Sequence, residues 1–208
     1  MLLLVRHGET EANRLGRYLG RADPDLTERG RSQVAVLAER LPKPDLVVSS
    51  PLRRARQTAD ALATSLATPV QVDERWIELD YGELDGRPVG EVPVDLLERW
   101  QGDPEFAPPG GEPLAMLWAR VHAACDHLAR QAEDSVVIVV THVSPVKAAL
   151  GWALGAPATL AQRLFVEDAG VSRIDLHGGA RVVRWFNRFG DEPGEGVEEA
   201  GGRLAPGG

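Results

Sequence analysis

A chain of 208 residues with 43% apolar and 26% charged side chains is long enough to bury one core of ordinary size. The formal charge of -8 argues against a nucleic-acid binder, and an apolar run such as Val136 to Val140 is far too short to cross a bilayer. The single cysteine, Cys125, excludes an internal disulfide and a thiolate zinc cluster.

Leu2 to Val5 predicts a buried strand that ends abruptly in Arg6-His7-Gly8. Glu9 to Asp25 is a loop with room for one helical turn. Thr27 stands before Glu28 as a helix N-cap, with Val34, Leu37, Ala38 and Leu41 at helical spacing behind it. Leu46-Val47-Val48 is a second buried strand ending in Ser49-Ser50-Pro51. Serine before proline predicts a helix that Ser50 caps and Pro51 opens. Leu52, Ala55, Ala59, Leu62 and Leu66 form the apolar stripe of that helix. Val70 to Val72 is a third strand, and Trp76 to Gly111 is an excursion over the sheet with one helix around Val94 to Trp100.

Leu114, Leu117, Val121, Cys125 and Leu128 mark a long core-facing helix. Val136 to Val140 has the continuous β-branched pattern of a central parallel strand, and it ends in Thr141-His142-Val143-Ser144-Pro145. Arg163 to Val166, Val171 to Leu176 and Arg181 to Phe186 are expected strands, the last two joined as a hairpin at Gly178-Gly179. Strands alternating with helices give a three-layer α/β/α sandwich with a mainly parallel sheet, over residues 1–190. Asp191 to Gly208 holds much of the negative charge in a Gly/Pro/Glu-rich stretch, expected to be a disordered tail. The amino-terminal residues lack the basic start and cleavage site of a signal peptide, so a cytoplasmic location is expected.

Three strand ends carry the chemistry. If the strands ending in Arg6-His7, Ser49-Ser50 and His142 are neighbours, two histidines and an arginine pair meet at one sheet edge, beside two helix N-termini that favour an anion. On the helix after Pro51, Arg54 lies roughly 110° from the stripe and Arg53 roughly 150°, so Arg54 is the inward residue. Guanidiniums hold a phosphoryl group through paired hydrogen bonds, and a neutral imidazole between them is a competent nucleophile. His122, His127 and His177 read as surface or turn residues. Cys125 and the tryptophans read as packing, with Trp100 and Phe106 candidates for a pocket mouth.

Arg6-His7-Gly8-Glu9-Thr10 with Asn13 resembles the signature of the histidine phosphatase superfamily, the phosphoglycerate mutase-like fold. Ser49 to Ala59 resembles its second motif, Pro109-Gly110-Gly111-Glu112 a loop of its phosphatase branch, and Val140-Thr141-His142 its second histidine. Val143 stands where glycine is usual. The His142-Val143-Ser144-Pro145 turn looks like that of actinobacterial acid phosphatase domains related to α-ribazole phosphatases. The resemblance implies a metal-independent phosphomonoesterase without a cofactor. In it His7 is phosphorylated, and Arg6, Arg54, His142, Asn13 and the Val143 backbone hold phosphate or substrate. Glu78 serves as acid and then base, with Glu83 as the alternative donor. The expected partner is a small phosphomonoester, with neither nucleic acid nor membrane involved. The chain lacks the segments by which phosphoglycerate mutases hold a carboxylated substrate, so hydrolysis is favoured over mutase chemistry or a non-catalytic ligand-binding role.

Overall fold

A computed structural model describes residues 1–188; the acidic stretch from Asp191 to Gly208 lies outside the described residues. Six strands form one sheet: β1 (Leu2–Arg6), β2 (Leu46–Ser49), β3 (Val70–Val72), β4 (Val137–Thr141), β5 (Val171–His177) and β6 (Ala180–Arg188). Their order is β3-β2-β4-β1-β5-β6. The first four strands are parallel, and β5 and β6 add an antiparallel edge beside β1.

Helices cover both faces. α2 (Glu28–Arg40) and α3 (Arg53–Leu66) lie on one side, where Leu3, Val5, Val47, Ile138 and Val140 meet Val34, Leu37, Ala55, Ala59 and Leu62. α5 (Leu114–Asp134) and α6 (Val143–Leu154) lie on the other, against Leu2, Leu4, Val48, Val137 and Val139. Consecutive residues of β1 and β4 thus enter opposite cores, which is why both strands are unbroken apolar runs. Two shorter helices, α1 (Glu11–Arg14) and α4 (Val94–Gly102), lie in the connections. No described helix is long and apolar enough to cross a membrane.

Thr27 caps α2 as expected, its side chain accepting the Gly30 N–H at 3.0 Å. Two local expectations fail. Arg163 to Val166 is not a strand: a 3-10 helix occupies Ala158–Arg163. Both sheet positions beside β1 are already filled by β4 and β5, and the Val166 carbonyl accepts from the Arg6 guanidinium instead. The helix after Pro51 begins at Arg53, with no side-chain cap from Ser50. Asp23, from a distant loop, accepts the Arg53 N–H at 2.6 Å. The helix after His142 begins at Val143, which leaves Pro145 third in its first turn.

Candidate active site

Register brings the three strand ends together. Arg6 pairs with Thr141 and Ser49 with Val140, so His7, Ser50 and His142 emerge side by side at the carboxyl edge of the sheet. The His7 N–H donates to the Thr141 carbonyl at 3.0 Å and the Ser50 N–H to the Val140 carbonyl at 2.9 Å, extending the ladder by one rung on each side. The His7 and His142 rings lie edge to face with centroids 5.1 Å apart. Gly8 follows His7 because the chain there touches another backbone: a Cβ on Gly8 would sit 2.5 Å from the Gly30 carbonyl oxygen. The Gly8 N–H donates to Thr58 Oγ1, whose hydroxyl donates to the Arg54 carbonyl, tying the end of β1 to α3.

Two independent contacts define the His7 tautomer. Nδ1 lies 2.8 Å from the Gly8 carbonyl oxygen, which can only accept, so Nδ1 carries the proton. Arg54 Nε, which can only donate, lies 3.1 Å from Nε2, so Nε2 bears the lone pair. Burial, then the charges of Arg54 and Arg6, push the His7 pKa well below its ordinary value. The ring is held neutral, with its nucleophilic nitrogen directed at a guanidinium.

Both arginines are fixed from behind. Arg54 is fully buried; Nη1 donates to the Ala22 carbonyl at 2.7 Å and Nη2 to the Gly20 carbonyl at 2.8 Å. Burial lowers its pKa to about 10, a drop opposed first by the charge of Glu78. Arg6 donates from Nη1 to the Val166 carbonyl at 2.6 Å and pairs through Nη2 with Asp168 at 2.6 Å, leaving Nε buried without a partner among the described residues. Arg53, the alternative on the same helix, is exposed, as the stripe geometry predicts.

His142 is fully buried, with Nε2 2.6 Å from Ser50 Oγ. Ser50 Oγ accepts the Leu52 N–H at 3.4 Å, and donating its own proton to Nε2 would place the ring proton on Nδ1. Among the described residues that Nδ1 has no hydrogen-bond partner. Burial, then Arg54, His7 and Arg6, hold the His142 pKa well below the ordinary value, which favours the neutral ring. A cationic His142 is disfavoured in this setting.

Glu78 reaches the site from the excursion. Only 3% of it is exposed, and its carboxylate accepts the Leu79 N–H at 2.7 Å and the Ser144 N–H at 3.2 Å, the latter in the first turn of α6. The two helix N-termini therefore serve carboxylates of the protein, Glu78 on α6 and Asp23 on α3, rather than standing open to an anion. Thr141 Oγ1 donates to the Trp76 carbonyl at 2.6 Å, fastening the segment before Glu78 to the end of β4. Arg120 clamps it from below, donating to the carbonyls of Arg75, Ile77 and Glu78 while its guanidinium pairs with Glu112 at 2.9 Å. Glu112 also accepts the Asp80 N–H and pairs with Arg21 at 3.3 Å. Glu83, the alternative donor, is exposed.

A pocket of about 140 Å³ has Tyr18, Leu79, Tyr81, Trp100, Val143, Ser144 and Lys147 in its lining, and the N–H groups of Leu79 and Ser144 are the two that hold the Glu78 carboxylate. Val143 thus faces the pocket and Trp100 joins its wall. Phe106 lies instead beneath the Arg99 guanidinium, 4.3 Å from it. Asn13 closes a capping box, its Oδ1 accepting the Thr10 N–H at 3.1 Å and the Thr10 hydroxyl at 2.7 Å. Arg120 and Asp168 escape motif reading altogether. The one signal for Arg120 is its place at the rim of an apolar stripe, beside Leu117 and Val121; for Asp168 there is none.

The family model for the histidine phosphatase superfamily (branch 1) matches residues 2–188, and the chain belongs to that family. A bifunctional protein of Mycobacterium tuberculosis is 38% identical over 196 residues, covering 91% of this chain and 54% of its own length. The chain therefore spans about half the length of that relative. Phosphoserine phosphatase 1 of Hydrogenobacter thermophilus is 35% identical over 195 residues, covering 89% and 91%. The solved structure of a putative α-ribazole-5'-phosphate phosphatase from Escherichia coli superposes with a TM-score of 0.80 at 29% identity, covering 90% of this chain and 95% of that one.

Proposed function

We propose that this chain hydrolyses phosphomonoesters through a phosphohistidine formed on His7. The observation that carries the reading is a neutral imidazole whose bare Nε2 faces Arg54, with a second neutral imidazole 5.1 Å away. The phosphatase names of two relatives agree with it.

The incoming phosphoryl oxygens take over the Arg54 Nε–H, which frees the His7 lone pair. The Arg6 Nε–H and the His142 Nδ1–H, both without partners among the described residues, are further donors for the equatorial oxygens. Asn13 and the Val143 backbone N–H are additional phosphate or substrate contacts. His7 Nε2 attacks phosphorus in line as the P–O ester bond breaks, and Glu78, entering as the carboxylic acid, gives its proton to the departing alkoxide. Water then attacks phosphorus, Glu78 taking its proton as the new P–O bond forms and the P–Nε2 bond breaks, and inorganic phosphate leaves with the His7 lone pair restored. Positioning and fixed positive charge are the main demands of this transfer, and the chain's own guanidiniums meet them.

The test is phosphate release from p-nitrophenyl phosphate with and without EDTA, together with trapping of the labelled enzyme in alkali. Wild type should release phosphate unaffected by the chelator and retain an alkali-stable, acid-labile label. His7→Ala should lose both. Unchanged turnover in His7→Ala sinks the proposal, and interconversion of phosphoglycerates faster than their hydrolysis would replace hydrolase by mutase.

A further inference from the structure

We propose that Asp85 is a positioning residue for Arg54, acting through two peptide units of the loop between them, and so, given the phosphatase reading above, for the phosphoryl group that Arg54 holds.

Three consecutive backbone N–H groups converge on the Asp85 carboxylate. Gly20 donates to Oδ1 at 2.8 Å, and Arg21 and Ala22 donate to Oδ2 at 2.9 and 2.8 Å. The carbonyls of the same loop face the other way, onto Arg54. Nη2 donates to the Gly20 carbonyl at 2.8 Å and to the Leu19 carbonyl at 3.4 Å, and Nη1 to the Ala22 carbonyl at 2.7 Å. The Leu19 carbonyl and the Gly20 N–H belong to one peptide unit, and the Gly20 carbonyl and the Arg21 N–H to the next. Both units are trans, so each points its N–H and its C=O in opposite directions. They therefore span the gap from carboxylate to guanidinium, each polarised in the sense that makes its carbonyl a better acceptor.

Arg54 needs such support. It is fully buried, yet among the described residues it forms no ion pair, whereas Arg6 has Asp168. A carboxylate in direct contact would compete with phosphate for the guanidinium. Carbonyls in contact, with a carboxylate behind them, supply counter-charge and leave the cation available to an anion. Asp85 is among the charges that oppose the burial-driven fall in Arg54 basicity, after Glu78 and Asp23. Without that carboxylate the Gly20 and Arg21 N–H groups lose their acceptor, and turning either peptide to find another would carry its carbonyl away from Arg54. The Arg54 Nε–H, 3.1 Å from His7 Nε2, would shift with the guanidinium.

The frame around Asp85 is fixed. It ends the 3-10 turn Gly82–Leu84, and the flanking segments are tied by the Gly86 N–H to the Tyr18 carbonyl at 2.8 Å and the Tyr18 N–H to the Arg87 carbonyl at 2.9 Å. A Cβ on Gly20 would stand 2.8 Å from the Leu79 carbonyl oxygen, so the loop also rests on the residue after Glu78. The test must therefore separate an effect on Arg54 from one on the acid.

The experiment is calorimetric binding of inorganic phosphate, with turnover of p-nitrophenyl phosphate and glycerol 3-phosphate, at a temperature where circular dichroism shows each variant folded. Asp85→Asn keeps the shape but removes the charge and one acceptor. It should weaken phosphate binding about tenfold or more, as expected when donors lose a charged partner, and lower kcat/KM about equally on both esters. Asp85→Ser should behave alike and serves if the Asn variant does not fold. Asp85→Glu keeps the charge and should bind phosphate within about threefold of wild type, a rescue that a merely structural role does not predict. Unchanged phosphate affinity in the folded Asn or Ser variant overturns the proposal, as does an Asp85→Glu variant as weak as Asp85→Asn. A loss confined to glycerol 3-phosphate also overturns it and places the effect on Glu78. Wild type that binds no phosphate overturns it whatever its turnover. Failure of the phosphatase reading is separately visible, as wild type that binds phosphate but neither turns over p-nitrophenyl phosphate nor carries a label on His7.

Discussion

At the scale of single residues, the proposed acid and the proposed nucleophile separate by what the leaving group needs. Glu78 is held by backbone donors from two segments, so replacing it with glutamine keeps an acceptor of nearly the same shape and removes only the transferable proton. Glu78→Gln should lower kcat on an alkyl phosphate by about 10²–10⁴-fold. On p-nitrophenyl phosphate, whose phenolate departs without protonation, the loss should be far smaller. The two substrates assayed side by side give the measurement, and equal losses would remove the acid role. His7, by contrast, should be needed for both. Most of this set was legible as residue types: Arg6, His7, Arg54, Glu78 and His142 all lie where the strand ends and motifs put them. The protonation states were not. That His142 is held neutral follows from its full burial and from the charge of Arg54, an influence of residue 54 on residue 142 that no local pattern encodes.

At the scale of elements, long apolar runs and stripes were readable and short junctions were not. β1, β4, α2 and α5 announce themselves because their periodicity serves cores on known faces. The two serine-proline junctions look alike in sequence and behave differently. Ser50 spends its hydroxyl on His142, 92 residues away, and α3 starts two residues beyond Pro51; α6 starts before Ser144, whose N–H meets Glu78 66 residues away. Long-range partners outweighed local capping preference. The Arg75 to Glu78 segment makes the same point, since it has no regular hydrogen-bond ladder beyond the 3-10 turn Glu74–Trp76 and depends on α5 for support. Arg120 supplies that support through three carbonyls and Glu112. Arg120→Met should therefore lower kcat by about 10–100-fold through displacement of Glu78, with a smaller change in KM. A merely destabilised enzyme would lose activity on every substrate alike. A positioning role predicts the leaving-group signature of Glu78→Gln, larger on alkyl than on p-nitrophenyl phosphate, with Arg120→Lys rescuing poorly because an ammonium cannot serve the same fork of acceptors.

For the whole molecule, the site and the fold compete for the same protons. His7 and His142 are buried between guanidiniums, and both have folded-state pKa values below the unfolded value of about 6.5. Above that pH the rings are neutral in both states and cost nothing in pH dependence. As pH falls through 6.5 the unfolded chain binds protons that the folded chain refuses, so stability drops with falling pH until the folded rings titrate. Each such ring contributes a limiting slope of about 1.4 kcal/mol per pH unit. His122, only partly buried, adds a smaller contribution of the same sign. Denaturant unfolding between pH 7 and pH 5 should show the decline, and His142→Gln should unfold with a slope shallower by up to that single-ring amount. Inorganic phosphate should add more stability at pH 5.5 than at pH 7.5, because an anion between Arg6 and Arg54 permits a ring to take the proton the folded chain otherwise refuses. An identical slope in wild type and His142→Gln would mean the second imidazole titrates as it does in the unfolded chain, and a site built on two neutral rings would then have to be abandoned.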